Sequence, residues 1–113
     1  MRPTYTCPVE LALDVLGGKW RVVLLAHIKQ GAQRYADLRR LVPRMSDKML
    51  TQRLRELLDA GLVRRQGAAY VLTARGESAR TTMDALYAWG EALASELGVL
   101  VEAPPRARQG RAS

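Results

Sequence analysis

The chain has little of what most enzymes and most secreted proteins need. It contains a single cysteine, Cys7, and a single histidine, His27. One cysteine makes no internal disulfide, so the thiol count does not point to an oxidising compartment. His27 follows an apolar run and has no Cys or carboxylate at ligand spacing, so it reads as a structural histidine, satisfied or partly exposed. There is no Gly-rich phosphate loop: Gly17-Gly18 closes a helix and lacks the pattern of a nucleotide site. Long apolar runs are missing too. Val22-Val23-Leu24-Leu25-Ala26 is among the longest, and it is far too short to span a bilayer. Residues 1–8 lack the apolar stretch of a secretory signal. These absences argue against an enzyme, a cofactor, a metal centre and a membrane segment. They fit a cytoplasmic chain.

What is present is charge of one sign. The 113 residues suit one compact domain, and the 48% hydrophobic content is that of a globular protein. The net charge is +7 and the sequence pI about 10.3, which predicts a polyanionic partner. Its distribution says more than its total. Residues 34–65 carry Arg34, Arg39, Arg40, Arg44, Lys48, Arg53, Arg55, Arg64 and Arg65 against only Asp37, Asp47, Glu56 and Asp59. Residues 74–103 carry Arg75 and Arg80 against Glu77, Asp84, Glu91, Glu96 and Glu102. The first stretch is built to meet anions, and the second is not.

The apolar spacing predicts mainly helix. Residues 9–16 form one helix with Pro8 in its first turn, and Gly17-Gly18 stops it. Lys19 to His27 forms a second, with Trp20, Val23 and Leu24 on one side, and Gly31 breaks it. Tyr35 to Val42 is a short third helix, placing Leu38 inward, and Pro43 ends it. From Ser46, an N-cap, to the stop at Gly61, Leu50, Leu54, Leu57 and Leu58 share one face. Lys48, Gln52, Arg55 and Asp59 lie opposite, with Met49 and Thr51 at the margins. Leu62 to Arg65 and Ala69 to Leu72 predict a two-stranded hairpin joined by Gln66-Gly67-Ala68. One long helix is then expected from Thr73 to about Leu100, with Met83, Leu86, Gly90, Leu93, Leu97 and Leu100 as a stripe that Tyr87 and Trp89 widen. Residues 104–113 read as a basic, disordered tail after a domain spanning 1–103. This order describes a winged helix-turn-helix, in which the Ser46–Ala60 helix enters the DNA major groove.

Several motifs sharpen that expectation. Cys7-Pro-Val-Glu, Leu13-Asp-Val-Leu-Gly-Gly-Lys-Trp20, Tyr35-Ala-Asp-Leu-Arg-Arg-Leu41 and Ser46-Asp-Lys-Met-Leu-Thr-Gln-Arg-Leu-Arg-Glu-Leu57 occur in that order. Asp59-Ala-Gly-Leu-Val63, Leu72-Thr-Ala-Arg-Gly76 and Leu86-Tyr-Ala-Trp-Gly-Glu91 follow. Together they closely resemble the HxlR-type winged helix-turn-helix regulators of bacteria, a MarR-like family, from about residue 7 to 97. The resemblance implies a homodimer on a pseudo-palindromic operator, with the first and last helices forming the interface. Val9, Leu13, Met83, Leu86, Tyr87, Leu93 and Leu97 are the interface candidates. The alternative for the stripe is packing on the chain's own core, but a helix of about 25 residues is too long for so small a domain to cover. Family members commonly carry a longer wing, so the short connection here shifts the burden of specificity to the recognition helix.

For double-stranded DNA, the candidates sort by role. Ser46, Lys48, Met49, Thr51 and Gln52 lie toward the N-terminal half of the recognition helix and are the base-reading candidates. Gln52 suits adenine, Lys48 a guanine edge or phosphate, and Met49 or Thr51 a thymine methyl. Arg34, Arg39, Arg40, Arg44, Arg53 and Arg55 are phosphate candidates, with Arg64 and Arg65 of the hairpin touching phosphate at most. The rival readings are a sequence-neutral, nucleoid-type binder and a winged helix used for protein interaction. Regulation is expected from one of two sources, a small-molecule effector or Cys7. In some HxlR-type regulators the cysteine at this position senses oxidants or electrophiles, and a helix N-terminus favours the reactive thiolate. The alternative is that Cys7 packs as an inert hydrophobe.

Overall fold

The computed structural model describes residues 2–101, so the expected tail and the Glu102 end of the acidic stretch lie outside the described residues. Six helices and three short strands follow one another: α1 (Pro8–Leu16), α2 (Lys19–Ile28), β1 (Gln33–Arg34), α3 (Tyr35–Leu41), α4 (Asp47–Asp59), β2 (Val63–Gln66), β3 (Ala69–Leu72), α5 (Ala74–Ser78) and α6 (Arg80–Leu97). The mainly helical architecture with an antiparallel hairpin after the basic helix is the expected one. Glycines close the first and last helices, Gly17 at φ 81° and Gly98 at φ 68°, in the left-handed region that favours them. Leu24, Leu25, Ile28, Leu38, Met45, Leu50, Leu54, Leu57, Leu62 and Val63 are buried together between α2, α3, α4 and the hairpin. Trp20 packs on that core half-buried.

Four expectations need correction. The sheet has three strands, not two: Gln33 and Arg34 pair antiparallel with Tyr70 and Ala69, giving the order β1-β3-β2. Two residues are too few to leave an alternating pattern in the sequence. The hairpin connection is shorter than expected, because Gln66 pairs with Ala69 and leaves only Gly67-Ala68 as the turn, with Gly67 at φ 62°. The long C-terminal helix is two helices. Thr73 caps α5 by accepting from the Gly76 N–H at 3.0 Å, and Ala79 ends it before α6 begins. Gly76 sits so close to the hairpin that a Cβ there would lie 2.2 Å from the Leu62 carbonyl oxygen. That approach sets the direction of α5 independently of α6, which itself stops at Leu97, leaving Leu100 outside it. Finally, Met83, expected at a subunit interface, is 4% exposed and belongs to the chain's own core.

Candidate nucleic-acid interface

The helix pair α3–α4 is held by side chains that span its turn. Ser46 extends the backbone ahead of α4, and its hydroxyl accepts from the Met49 N–H at 3.1 Å. The Tyr35 hydroxyl donates to Asp47 Oδ1 at 3.1 Å, tying the start of α3 to the start of α4. Arg39 donates to Asp47 Oδ1 at 3.3 Å and to the carbonyls of Pro43 and Met45, so its guanidinium staples the turn from inside. At the head of α3, Asp37 accepts from the Arg34 N–H at 2.8 Å and from the Arg40 guanidinium at 2.7 Å. Those contacts, the Arg34 N–H first, hold the Asp37 carboxyl below the usual carboxylate range.

With the turn fixed, the outer face of α4 is open. Lys48, Thr51, Gln52 and Arg55 are exposed, and with Asp47, Glu56 and Asp59 they line one shallow trough. Arg34, Arg40 and Arg44 are exposed at the start of α3, at its end and on the turn. Met49 is half-buried and packs on the core. Ser46 spends one lone pair on its cap, although the residue stays exposed. Arg53 is drawn inward: it meets Glu56 at 3.3 Å, and its Nε is buried without a hydrogen-bond partner among the described residues. On the hairpin Arg64 and Arg65 are both exposed, and Arg65 lies 4.8 Å over the Tyr70 ring and donates to its hydroxyl at 3.2 Å. The structure therefore brings Lys48, Thr51, Gln52 and Arg55 together on one surface and gives Arg39, Arg40, Arg53 and Arg65 partners within the chain.

A helix-turn-helix with an open polar reader, followed by a stub hairpin, is the frame seen here. The family model described as HxlR-like helix-turn-helix matches residues 15–97. The chain belongs to that family. Among curated HxlR-like relatives, the HTH-type transcriptional regulator YtcD of Bacillus subtilis is 41% identical over 93 residues, covering 76% of this chain and 74% of YtcD. The redox regulator HypR in its oxidized form is 38% identical with a TM-score of 0.71, covering 76% of this chain and 96% of HypR. The quinone-bound YodB from B. subtilis is 31% identical with a TM-score of 0.67, covering 76% of this chain and 99% of YodB.

Two other features of this HxlR-like chain lie away from α4. Cys7 is a free, exposed thiol at the N-cap of α1, and its side chain makes no capping hydrogen bond. Around it the N-terminal arm folds onto α1: Glu10 accepts from the Thr6 N–H at 2.9 Å and pairs with Arg2, while the Tyr5 hydroxyl donates to Asp14 at 2.8 Å. Between α2, the end of α3 and α6 runs a mostly apolar cleft of about 780 Å³, walled by Trp20, Val23, Met83 and Leu86, with Arg40 and Arg44 on its third side. His27 lines it at 7% exposure, and burial pushes the imidazole pKa down. Among the described residues no helix is long and apolar enough to cross a membrane.

Two partners on this surface lie outside the expected site residues: Tyr35, which reaches Asp47, and Glu56, which pairs with Arg53. Glu56 was legible, since it stands four residues after Gln52 and three after Arg53 on one helix. Tyr35 acts across elements, where spacing carries no signal.

Proposed function

We propose that this chain is a homodimeric, sequence-specific transcriptional repressor that binds a pseudo-palindromic operator in double-stranded DNA. The observation that carries this reading is the outer face of α4, where Lys48, Thr51, Gln52 and Arg55 stand exposed on a helix pinned from beneath. Such a face suits base edges, and the exposed Arg34, Arg40 and Arg44 of α3 and the turn suit phosphates. Dimerisation is supported by apolar side chains left in water: Val9, Leu13 and Leu97 are each more than 60% exposed, and Leu86 and Trp89 join them. Leu93 and Tyr87 lie half-buried on the same helix. Repression then requires only occupancy of a promoter.

Selection from a random duplex pool, followed by footprinting upstream of the gene, tests this. The expected product is an inverted repeat with half-sites about 10 bp apart, one helical turn. A uniform footprint with no enriched motif replaces this reading with a sequence-neutral binder. No binding at moderate salt, together with a co-purifying protein, replaces it with a protein-interaction module.

An exposed Cys7 on a dimer-forming helix supports a thiol switch, in which two subunits each give up a thiol hydrogen to an oxidant such as diamide and join through a disulfide. Operator affinity with and without diamide, in wild type and Cys7→Ser, decides it; identical responses remove Cys7 from the mechanism. The α2–α6 cleft supports a small-molecule effector as the other route. A compound that releases operator from the Cys7→Ser protein identifies that route.

A further inference from the structure

Of the three carboxylates in the trough on α4, those of Asp47, Glu56 and Asp59, Glu56 stands between the other two along the helix, among the exposed polar side chains. It is a carboxylate on the DNA-facing helix, lining the same trough as Lys48, Thr51 and Gln52. Three contacts converge on it. Oε2 accepts from the Arg53 guanidinium at 3.3 Å and lies 3.5 Å from Gln52 Nε2, while Oε1 stands 3.8 Å from Arg21 Nε. Arg21, on α2, is mostly buried and donates to the carbonyls of Gly17 at 3.3 Å and Asp14 at 3.2 Å. Those carbonyls are at the C-terminal end of α1, where a cation is favoured. The guanidinium lies so close over Gly17 that a Cβ there would sit 1.6 Å from it. Three helices thus meet at one ion cluster.

We propose that Glu56 is a specificity-determining positioning residue, which orients Gln52 for base reading and withholds Arg53 from phosphate. This inference rests on the DNA-reading function proposed above. An amide nitrogen has two N–H groups. With one aimed at Glu56, Gln52 keeps the other N–H and its carbonyl oxygen facing outward, the pair that a bidentate contact to adenine requires. Arg53 bends toward the carboxylate with its Nε dry, so it adds no sequence-independent affinity. The carboxylate also repels phosphate wherever the helix docks out of register. Orienting Gln52 favours the cognate site, withholding Arg53 removes affinity that both duplexes would share, and the repulsion falls on misregistered docking, so discrimination is built from repulsion as well as attraction. Through Arg21, the orientation of the reader is tied to the end of α1.

The test measures wild type, Glu56→Gln and Glu56→Ala on the selected duplex and on a scrambled duplex, over a salt series, with circular dichroism melts of each protein. Both variants are expected to bind scrambled DNA more tightly, and the ratio of selected to scrambled affinity is expected to fall about tenfold, the order of one bidentate contact. The slope of log affinity against log salt should steepen by about 0.9 as Arg53 reaches a phosphate. Adding Arg53→Gln to Glu56→Ala should restore the wild-type slope. An unchanged ratio and slope in folded variants overturns the role of Glu56 while leaving the DNA-reading function standing. Failure of the wild type to discriminate between the duplexes overturns that function, and this inference with it.

Discussion

Among single residues, Gln52 and Arg40 make opposite predictions. Gln52 is exposed on the reader, so Gln52→Ala should lose about 1–3 kcal/mol on the cognate duplex and little on a scrambled one, in binding titrations at fixed salt. Arg40 is exposed beside Asp37, and Arg40→Ala should weaken both duplexes alike, because phosphate contacts carry no sequence. His27 predicts a pH dependence of stability. Its folded-state pKa lies below its ordinary value, so between pH 6.5 and lower values the unfolded chain binds a proton that the folded one refuses. Stability should therefore fall as pH drops through that window. His27 is the chain's only histidine, and His27→Gln should flatten the dependence in thermal melts from pH 7 to 5. A further loss nearer pH 4 should remain in the variant, since Asp37 and Glu77 have pKa values held low by Arg34 and Arg80. The outward set of α4 was legible because i, i+4 spacing places it opposite Leu50, Leu54 and Leu57. The fates of Arg39, Arg53 and Arg65 were not. Whether an arginine meets a phosphate or a neighbouring carbonyl, carboxylate or ring depends on tertiary contacts that composition does not encode.

Between elements, the close approach of α5 to the hairpin is the most constrained contact. Gly76→Ala must push a methyl group against the Leu62 carbonyl, and it should destabilise the fold by about 2–3 kcal/mol in urea titration, as overpacked sites do. Ser46→Ala removes only a cap and should cost about 1 kcal/mol. Helix starts and stops were readable where the chain carries its own punctuation: Pro8 in the first turn of α1, Gly17-Gly18, Ser46 and Gly61. The break at Ala79 and the two-residue β1 had no such mark. The first is set by how α5 seats on the hairpin, and the second by the neighbouring strand that supplies its hydrogen bonds.

For the whole molecule, the apolar side chains of α1 and α6 predict assembly. Replacing Leu13 and Leu97 with glutamate should yield monomers in sedimentation, with the helix-turn-helix intact by circular dichroism and operator affinity lost. The resemblance carried this expectation from the sequence, whereas Met83 shows how a periodic stripe divides unpredictably between a chain's own core and a surface left for another copy. The three-stranded sheet has a further consequence. In the order β1-β3-β2 the outer strands are two and four residues long, and β2 carries Arg64 and Arg65 along its free edge. A second molecule presenting the same edge would bring like charges together on both faces of a ladder only a few residues long. The wing's shortness and charge therefore guard against polymerisation by strand addition, which leaves the proposed dimer to the apolar side chains of α1 and α6.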